Sequence, residues 1–270
     1  MPNTMDAANR TTRATSTAGS AKGSADYRPG YPADAVRWLV GTGKSTIVEL
    51  GAGSGRLTAG LVALGHDVLA SDPSTEKVAT LVRAVPECRH VVARAEDIPL
   101  PSSSVDIVVA SEAFHQFEQG RALPEIARVL RPGGVLALIW NQGDRLVPWV
   151  NKVCALMNLP AVDERSDPVD DSELFSTSDQ AVFRHWQQFH RESLVCYVVS
   201  GAGAASMTSK EREELVADAG AIYDSYGRGP DGMLMPWKSC CYRARVTGLA
   251  NFRRETADDD IDDGLLIDFT

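Results

Sequence analysis

No apolar run in this chain approaches the roughly 20 residues that a membrane-crossing helix needs. The amino terminus also lacks the apolar core of a secretory signal. Both absences predict a soluble, cytoplasmic protein with no membrane partner. The five cysteines (88, 154, 196, 240 and 241) are odd in number and nowhere spaced C-x-x-C. That excludes a disulfide framework and a structural zinc site, so reduced thiols and no metal are expected. Lysine and arginine are nowhere clustered around aromatic residues, which excludes a nucleic-acid footprint. Residues 1–24 contain almost no large apolar side chains and are expected to be disordered. Their Arg10 and Arg13, set against the single acid Asp6, give only a faint likeness to a transit peptide.

Bases are absent from the other end. The net charge is −9, and residues 255–270 hold seven acids and no lysine or arginine. "DDDIDDG" is not a calcium loop, because with Gly264 at loop position six an oxygen ligand is required where Ile261 stands. A solvated acidic tail is expected over 251–270, with Leu265, Leu266, Ile267 and Phe269 available for transient docking.

What is present is enough apolar sequence (44%) for one large domain, and two glycine-rich loops close together in "VGTGKSTIVELGAGSGRLT". Gly41-Thr42-Gly43-Lys44-Ser45 resembles the end of a phosphate-binding P-loop. However, Trp38 stands where the first glycine belongs, and a strand follows the lysine where a helix should. Gly41 reads instead as the cap of a helix over 32–40. The second loop has the expected context. Thr46-Ile47-Val48-Glu49-Leu50 reads as a buried strand running into Gly51-Ala52-Gly53-Ser54-Gly55. A helical pattern from Arg56 to Leu64 and a strand from His66 to Ser71 follow, with Asp72 at the strand's end. Glycines let a ligand approach the loop amides, and the acid can accept hydrogen bonds from ribose hydroxyls. A dinucleotide fingerprint would need glycine where Arg56 stands.

Strand and helix signals continue to alternate. A helix is expected over 73–84 with Pro73 in its first turn, a strand over 90–93, and a strand over 105–110 apolar enough to be covered on both faces. A helix over 119–130 should end at Arg131-Pro132-Gly133-Gly134, before a strand over 135–140. Five strands with intervening helices specify an α/β doubly wound sheet, whose ligands lie beyond the carboxyl ends of the strands. The glycine loop, Asp72, Ala95-Glu96 and Ser111-Glu112 all fall there.

"VELGAGSGRLT", "VLASDPS", "RAEDIPLPSSSVDIVVASEAFHQF" and "EIARVLRPGGVLALIWN" together resemble the class I S-adenosylmethionine-dependent methyltransferases. The likeness is to the small-molecule branch, of the ubiquinone/menaquinone and trans-aconitate methyltransferase type; "YRPGYP" and "YRARV" match one bacterial and fungal group within it. The resemblance implies a Rossmann-like, seven-stranded sheet, mostly parallel with an antiparallel C-terminal strand and helices on both faces. It places a methyltransferase domain over 25–250, with 146–182 and 192–235 contributing part of an acceptor cap. The sixth strand would fall over 181–190 and the seventh over 237–247, with helices over 148–159 and, from the capping box Thr208-Ser209-Lys210-Glu211, to Tyr226.

The implied cofactor is S-adenosyl-L-methionine, leaving as S-adenosyl-L-homocysteine, with no metal. Position by position, Gly51, Ala52 and Gly53 would pass beneath the methionine part and Glu49 would fix that loop. Asp72 would take the ribose hydroxyls, Pro73 and Ser74 would line the adenine, and Ala95 and Glu96 would approach its edge. Ser111 would flank the methionine end, and Arg28 and Tyr31 belong to a leading segment that closes over the cofactor. Glu49 on a buried strand has no packing explanation, since a buried carboxylate requires partners.

Methyl transfer from a sulfonium is an in-line displacement that needs alignment above all, and a base only for an alcohol or protonated amine. His115 is the candidate base or substrate-orienting residue. Glu112, His115, Trp140, Trp149 and Trp186 are the candidate acceptor pocket, with Phe175 a further liner. Arg145, Arg191 or Lys238 would meet a substrate carboxylate. The family branch usually has Gln at Glu112 and Trp at Gln116, which bears on the acceptor class. The expectation is a methyltransferase for a small-molecule carboxylate, hydroxyl or other nucleophile, acting as a monomer or homodimer. A non-catalytic binding protein of the same fold and an NAD-dependent oxidoreductase are the alternatives.

Overall fold

The β-branched run at 46–50 does form the first strand, and the alternation downstream builds the rest. A computed structural model describes residues 27–159, 166–201, 207–227 and 229–247; the segments 1–24 and 251–270 lie outside these residues. In chain order the elements are α1 (Ala33–Val40), β1 (Thr46–Leu50), α2 (Arg56–Ala63), β2 (Asp67–Ser71), α3 (Thr75–Ala84), β3 (Arg89–Val91) and β4 (Val105–Ser111). There follow α4 (Gln119–Val129), β5 (Leu130–Gly143), α5 (Pro148–Leu156), β6 (Asp179–Phe189), α6 (Arg191–Val199), α7 (Ser209–Tyr226) and β7 (Met233–Arg245). The strands form one seven-stranded sheet in the order β3-β2-β1-β4-β5-β7-β6, parallel from β3 to β5 and antiparallel at its C-terminal strands. The reversal of order at β1 and β4 is a topological switch point, where open α/β sheets hold their ligands.

The chain divides into two compact units. The larger takes its described residues from Gly30–Asn141, Asp163–Phe183 and Ser239–Thr270; the smaller from Met1–Pro29, Gln142–Val162 and Arg184–Lys238. Within the larger unit, neighbouring residues on each central strand enter different cores. Val48, Leu50, Val108 and Ala110 pack with Ala122, Leu123 and Ile126 of α4. Ile47, Ile107 and Val109 pack with Val36 and Leu39 of α1, Leu57 and Leu61 of α2 and Leu81 of α3. Burial on both faces explains why these strands read as continuous apolar runs. The smaller unit has its own core, in which α5, α6 and α7 pack around Met235 and Trp237.

Three expectations need correction, and one helix, α6, adds to them. The helix after Asp72 starts at Thr75, capped by the Ser74 hydroxyl that accepts from the Lys77 amide, so Pro73 lies before the cap. Arg131-Pro132-Gly133-Gly134 lies inside β5 rather than between helix and strand. Leu130 already pairs with Val105, and the register shifts before Val135 meets Ile107, with Gly133 at φ 78°. The extra residues are absorbed as an irregularity, which needs glycine and tolerates proline. The helix from Pro148 ends at Leu156, and the last two strands start earlier than expected, at Asp179 and Met233. Finally, α6 carries its apolar residues consecutively, without helical spacing; its start is fixed by the His190 amide donating to the Ser193 hydroxyl at 2.8 Å. The capping box at Thr208 and Glu211 forms as expected and opens α7.

Candidate functional site

The three glycines of the loop between β1 and α2 serve two different ends. All have positive φ: Gly51 at 69°, Gly53 at 60° and Gly55 at 86°. A Cβ on Gly51 would stand 2.5 Å from the Ala113 Cβ, and one on Gly55 would stand 3.1 Å from Leu81 Cγ. These two positions are closed by the protein's own packing. A Cβ on Gly53 would meet nothing within 4 Å, so this turn of the loop faces open space. Ala52 is tied to β2 by its amide donating to the Ser71 carbonyl at 2.9 Å.

Glu49 sits on β1 immediately before this loop and is fully buried. Its Oε2 accepts the Thr58 hydroxyl at 2.6 Å, while Oε1 has no hydrogen-bond partner of normal geometry. Burial pushes this carboxyl up to about 7; the Thr58 and Ser111 hydroxyls work against the rise and the Asp72 charge adds to it. An orphaned carboxylate oxygen beside an open glycine turn fits a cationic group.

Asp72, also buried, holds the same loop from β2. Its Oδ2 accepts from the Gly53 amide at 3.0 Å and its Oδ1 from the Ser74 amide at 2.9 Å, with Lys77 Nζ 3.7 Å away. Glu96 is engaged similarly: Oε1 accepts from the Glu118 amide at 2.8 Å and Oε2 from Arg94 Nε at 3.1 Å. Burial raises its pKa, yet the Glu118 amide, its own amide and Arg94 together outweigh burial and hold it below the usual carboxylate range. Ala95, beside it, is buried in the core that includes α4.

Beyond β4 the chain turns sharply. Glu112 adopts φ 55°, uncommon for a residue with a side chain. Its amide donates to the Ile139 carbonyl at 3.0 Å, and its Oε1 accepts from the Asn141 amide at 2.6 Å. Glu112 thus joins the ends of β4 and β5 with the carboxylate expected to face an acceptor. Tyr31 lies within electrostatic reach of this turn. Burial and the Glu112 charge push its phenol up, while Arg56 and the Ser111 hydroxyl pull it down. His115 is exposed on a single helical turn, Phe114–Gln116, and its Nδ1 accepts from Trp140 Nε1 at 3.5 Å. The Trp140 ring itself packs edge-on to Phe114 and Tyr242.

The structure therefore brings together Tyr31, Glu49, Gly51 to Gly53, Asp72 and Ser74, Ser111, Glu112, His115 and Trp140 at one end of the larger unit. Arg28, Trp149 and Trp186 belong to the smaller unit, where Trp149 packs against the helical core and Trp186 is partly exposed on β6. Phe175 is a core residue bridged to Val246, not a liner. The candidate cations have protein partners: Arg191 pairs with Asp224, Lys238 with Asp144, and Arg145 donates to the Leu159 carbonyl. Among the described residues no group of three or more His, Cys, Asp or Glu could hold a metal ion. A cavity of about 340 Å³ lies at the opposite, amino-terminal ends of β4 and β5. Its two guanidiniums are taken, Arg243 by the Trp38 carbonyl and Asp179, and Arg245 by the Gly133 carbonyl.

Two residues of this site escaped the sequence reading. Thr58 is the third residue of α2 and is marked only by its spacing from the glycines. Asn141 follows the last apolar residue of β5, and its side chain joins Gly30 and Ser239.

A family model described as a methyltransferase domain matches residues 48–138. An uncharacterized methyltransferase of Mycobacterium tuberculosis is 34% identical over 240 residues, spanning 84% of this chain and 95% of that protein. One of Schizosaccharomyces pombe is 43% identical over 141 residues, 49% of this chain and 56% of that protein. Among solved structures, a type II methyltransferase candidate from Anaeromyxobacter dehalogenans superposes with a TM-score of 0.57 at 24% identity, covering 81% of this chain and 97% of that one. The YcgJ protein of Bacillus subtilis gives 0.51 at 16%, covering 78% and 95%. These structural likenesses concern the fold.

Proposed function

This chain belongs to the class I S-adenosylmethionine-dependent methyltransferases, and from that premise we propose that it methylates an oxygen of a small molecule, a carboxylate before a hydroxyl. The observation that carries the cofactor part is the buried Glu49 Oε1, left without a hydrogen-bond partner beside a glycine turn open to a ligand. Glu49 offers that oxygen to the cofactor's ammonium, and the backbone of Gly51, Ala52 and Gly53 passes beneath its methionine part. Asp72 keeps lone pairs for the ribose hydroxyls after accepting from Gly53 and Ser74. Pro73, Ser74, Ala95 and Glu96 frame the adenine, Ser111 the methionine end, and Tyr31 the approach. When bound, S-adenosylmethionine supplies an electrophilic methyl group on a sulfonium. The protein's share is alignment and exclusion of water.

His115 is consistent with the carboxylate preference. Its Nδ1 lies 3.5 Å from Trp140 Nε1 and its Nε2 3.5 Å from Gln116 Nε2, and both neighbours are donors. Neither ring nitrogen is left facing an acceptor's hydroxyl as a base. A carboxylate nucleophile needs no base. Trp140 and Glu112 complete the proposed acceptor surroundings in the larger unit. We read the enzyme as cytoplasmic, metal-independent, and a monomer or homodimer.

Calorimetric titration with S-adenosylmethionine, S-adenosylhomocysteine and NAD tests the cofactor assignment; the first two should bind and NAD should not. Labelled-methyl transfer to panels of carboxylic acids and alcohols then tests the acceptor. Transfer to alcohols alone would overturn the carboxylate reading. Cofactor binding without transfer to any acceptor would favour a non-catalytic role.

A further inference from the structure

We propose that Asn141 is a positioning residue: it ties the Gly30–Tyr31 segment to the carboxyl ends of β4 and β5 and so sets cofactor affinity. The inference rests on the cofactor reading above. Three hydrogen bonds converge on this residue from different parts of the larger unit. Its amide donates to Glu112 Oε1 at 2.6 Å, its Nδ2 donates to the Gly30 carbonyl at 3.2 Å, and its Oδ1 accepts from the Ser239 hydroxyl at 2.6 Å.

The chemistry fixes the direction of each bond. A carbonyl oxygen can only accept, so the side-chain nitrogen must face Gly30 and the oxygen must face the buried Ser239, whose hydroxyl must donate. The amide of Asn141 is in turn held by a glutamate kept at φ 55°, a backbone state that persists only where its surroundings enforce it. One strand end thereby controls the carbonyl that precedes Tyr31. The Tyr31 phenol feels the charges of Glu112, Arg56 and Glu49, so moving Gly30 moves a half-buried group assigned to the cofactor's approach. The Asn141 side chain carries a hydrogen bond from β5 to that segment.

Hydrogen exchange over residues 30–36 and calorimetry with S-adenosylhomocysteine test this on the full chain, comparing wild type with Asn141→Ala, Asn141→Asp and Ser239→Ala. Asn141→Asp is isosteric and keeps the acceptor for Ser239, but turns a carboxylate oxygen toward the Gly30 carbonyl. Both Asn141 variants should exchange faster over 30–36 and bind the product about tenfold more weakly, the size of one lost hydrogen bond. Ser239→Ala keeps the Gly30 contact and should stay within about threefold of wild type. A residue that merely buttressed β5 against β7 would show the same loss in Ser239→Ala as in Asn141→Ala, and that result overturns the proposal. Wild-type exchange and affinity in Asn141→Asp would overturn it too. If the wild-type protein binds no S-adenosylhomocysteine, the cofactor reading falls, and the exchange rates alone decide whether the tie exists.

Discussion

Glu49 and Thr58 share a hydrogen bond of 2.6 Å between the last turn of β1 and the first turn of α2, and it satisfies only one of the two buried carboxylate oxygens. The glycine loop is thus closed at its base by a residue pair that is itself incomplete without a further donor.

One consequence is a stability that depends on pH. Burial raises the folded-state pKa of Glu49 from 4.5 to about 7. A carboxyl raised on folding contributes stability that is fully present below its unfolded value and lost as pH rises through the folded one. Glu49→Gln should therefore change little at pH 4.5 and gain on wild type by about 3 kcal/mol by pH 8, from the size of the shift. Denaturant unfolding of both proteins at the two pH values measures this. An equal difference at both would show that Glu49 does not titrate in that window.

A second consequence concerns cofactor binding. A cation placed against Glu49 favours its ionised form, so binding near pH 6 should expel a proton, approaching one per site. Titrations in buffers of different ionisation enthalpy report proton release directly. Wild type should show buffer-dependent heats and Glu49→Gln should not. Identical heats in every buffer for wild type would place the cofactor's charge elsewhere.

Most of this arrangement was legible in the sequence because its signals are local. The β-branched run at 46–50, the G-x-G-x-G loop and the acid at 72 follow one another within a single β-α-β unit, and each appears where expected. What stayed hidden depends on distant partners. Asn141 is an ordinary polar residue after an apolar strand until Gly30 and Ser239 come to it, and no period or motif marks that meeting. Glu112 reads as a pocket carboxylate, whereas the structure spends one oxygen on the Asn141 amide. The α6 helix escaped because Leu194 to Val199 is apolar without helical spacing, so tertiary packing rather than amphipathicity decides its form.

The loop glycines should separate by experiment. Gly51→Ala brings a Cβ to 2.5 Å from Ala113 at φ 69°, combining a clash with an unfavourable backbone state. It should destabilise the protein by about 2–4 kcal/mol. Gly53→Ala meets no neighbouring atom, so it should cost only the backbone term of about 1–2 kcal/mol. Its methyl group would nevertheless project into the space assigned to the cofactor, and S-adenosylhomocysteine binding should fall by at least tenfold. Unfolding curves and calorimetry on the two variants distinguish these effects. A Gly53→Ala protein with wild-type affinity would remove that turn from the site.

Asp72 carries two duties that a pair of substitutions can divide. Its carboxylate accepts the Gly53 amide and the Ser74 amide while buried, so Asp72→Ala leaves two amides without partners. That should cost about 2–6 kcal/mol, at about 1–3 kcal/mol for each unsatisfied group. Asp72→Asn retains a carbonyl oxygen for one amide and should cost about half as much. Ribose recognition scales differently, because both substitutions remove the charge that strengthens hydrogen bonds from hydroxyl donors. If Asp72 serves only to shape the loop, cofactor affinity should follow stability, and Asp72→Asn should bind much better than Asp72→Ala. If it also holds the ribose, both variants should lose about a hundredfold, the equivalent of about 3 kcal/mol, even where Asp72→Asn remains well folded. The second pattern is the one expected here, since each oxygen accepts one amide and retains a further lone pair.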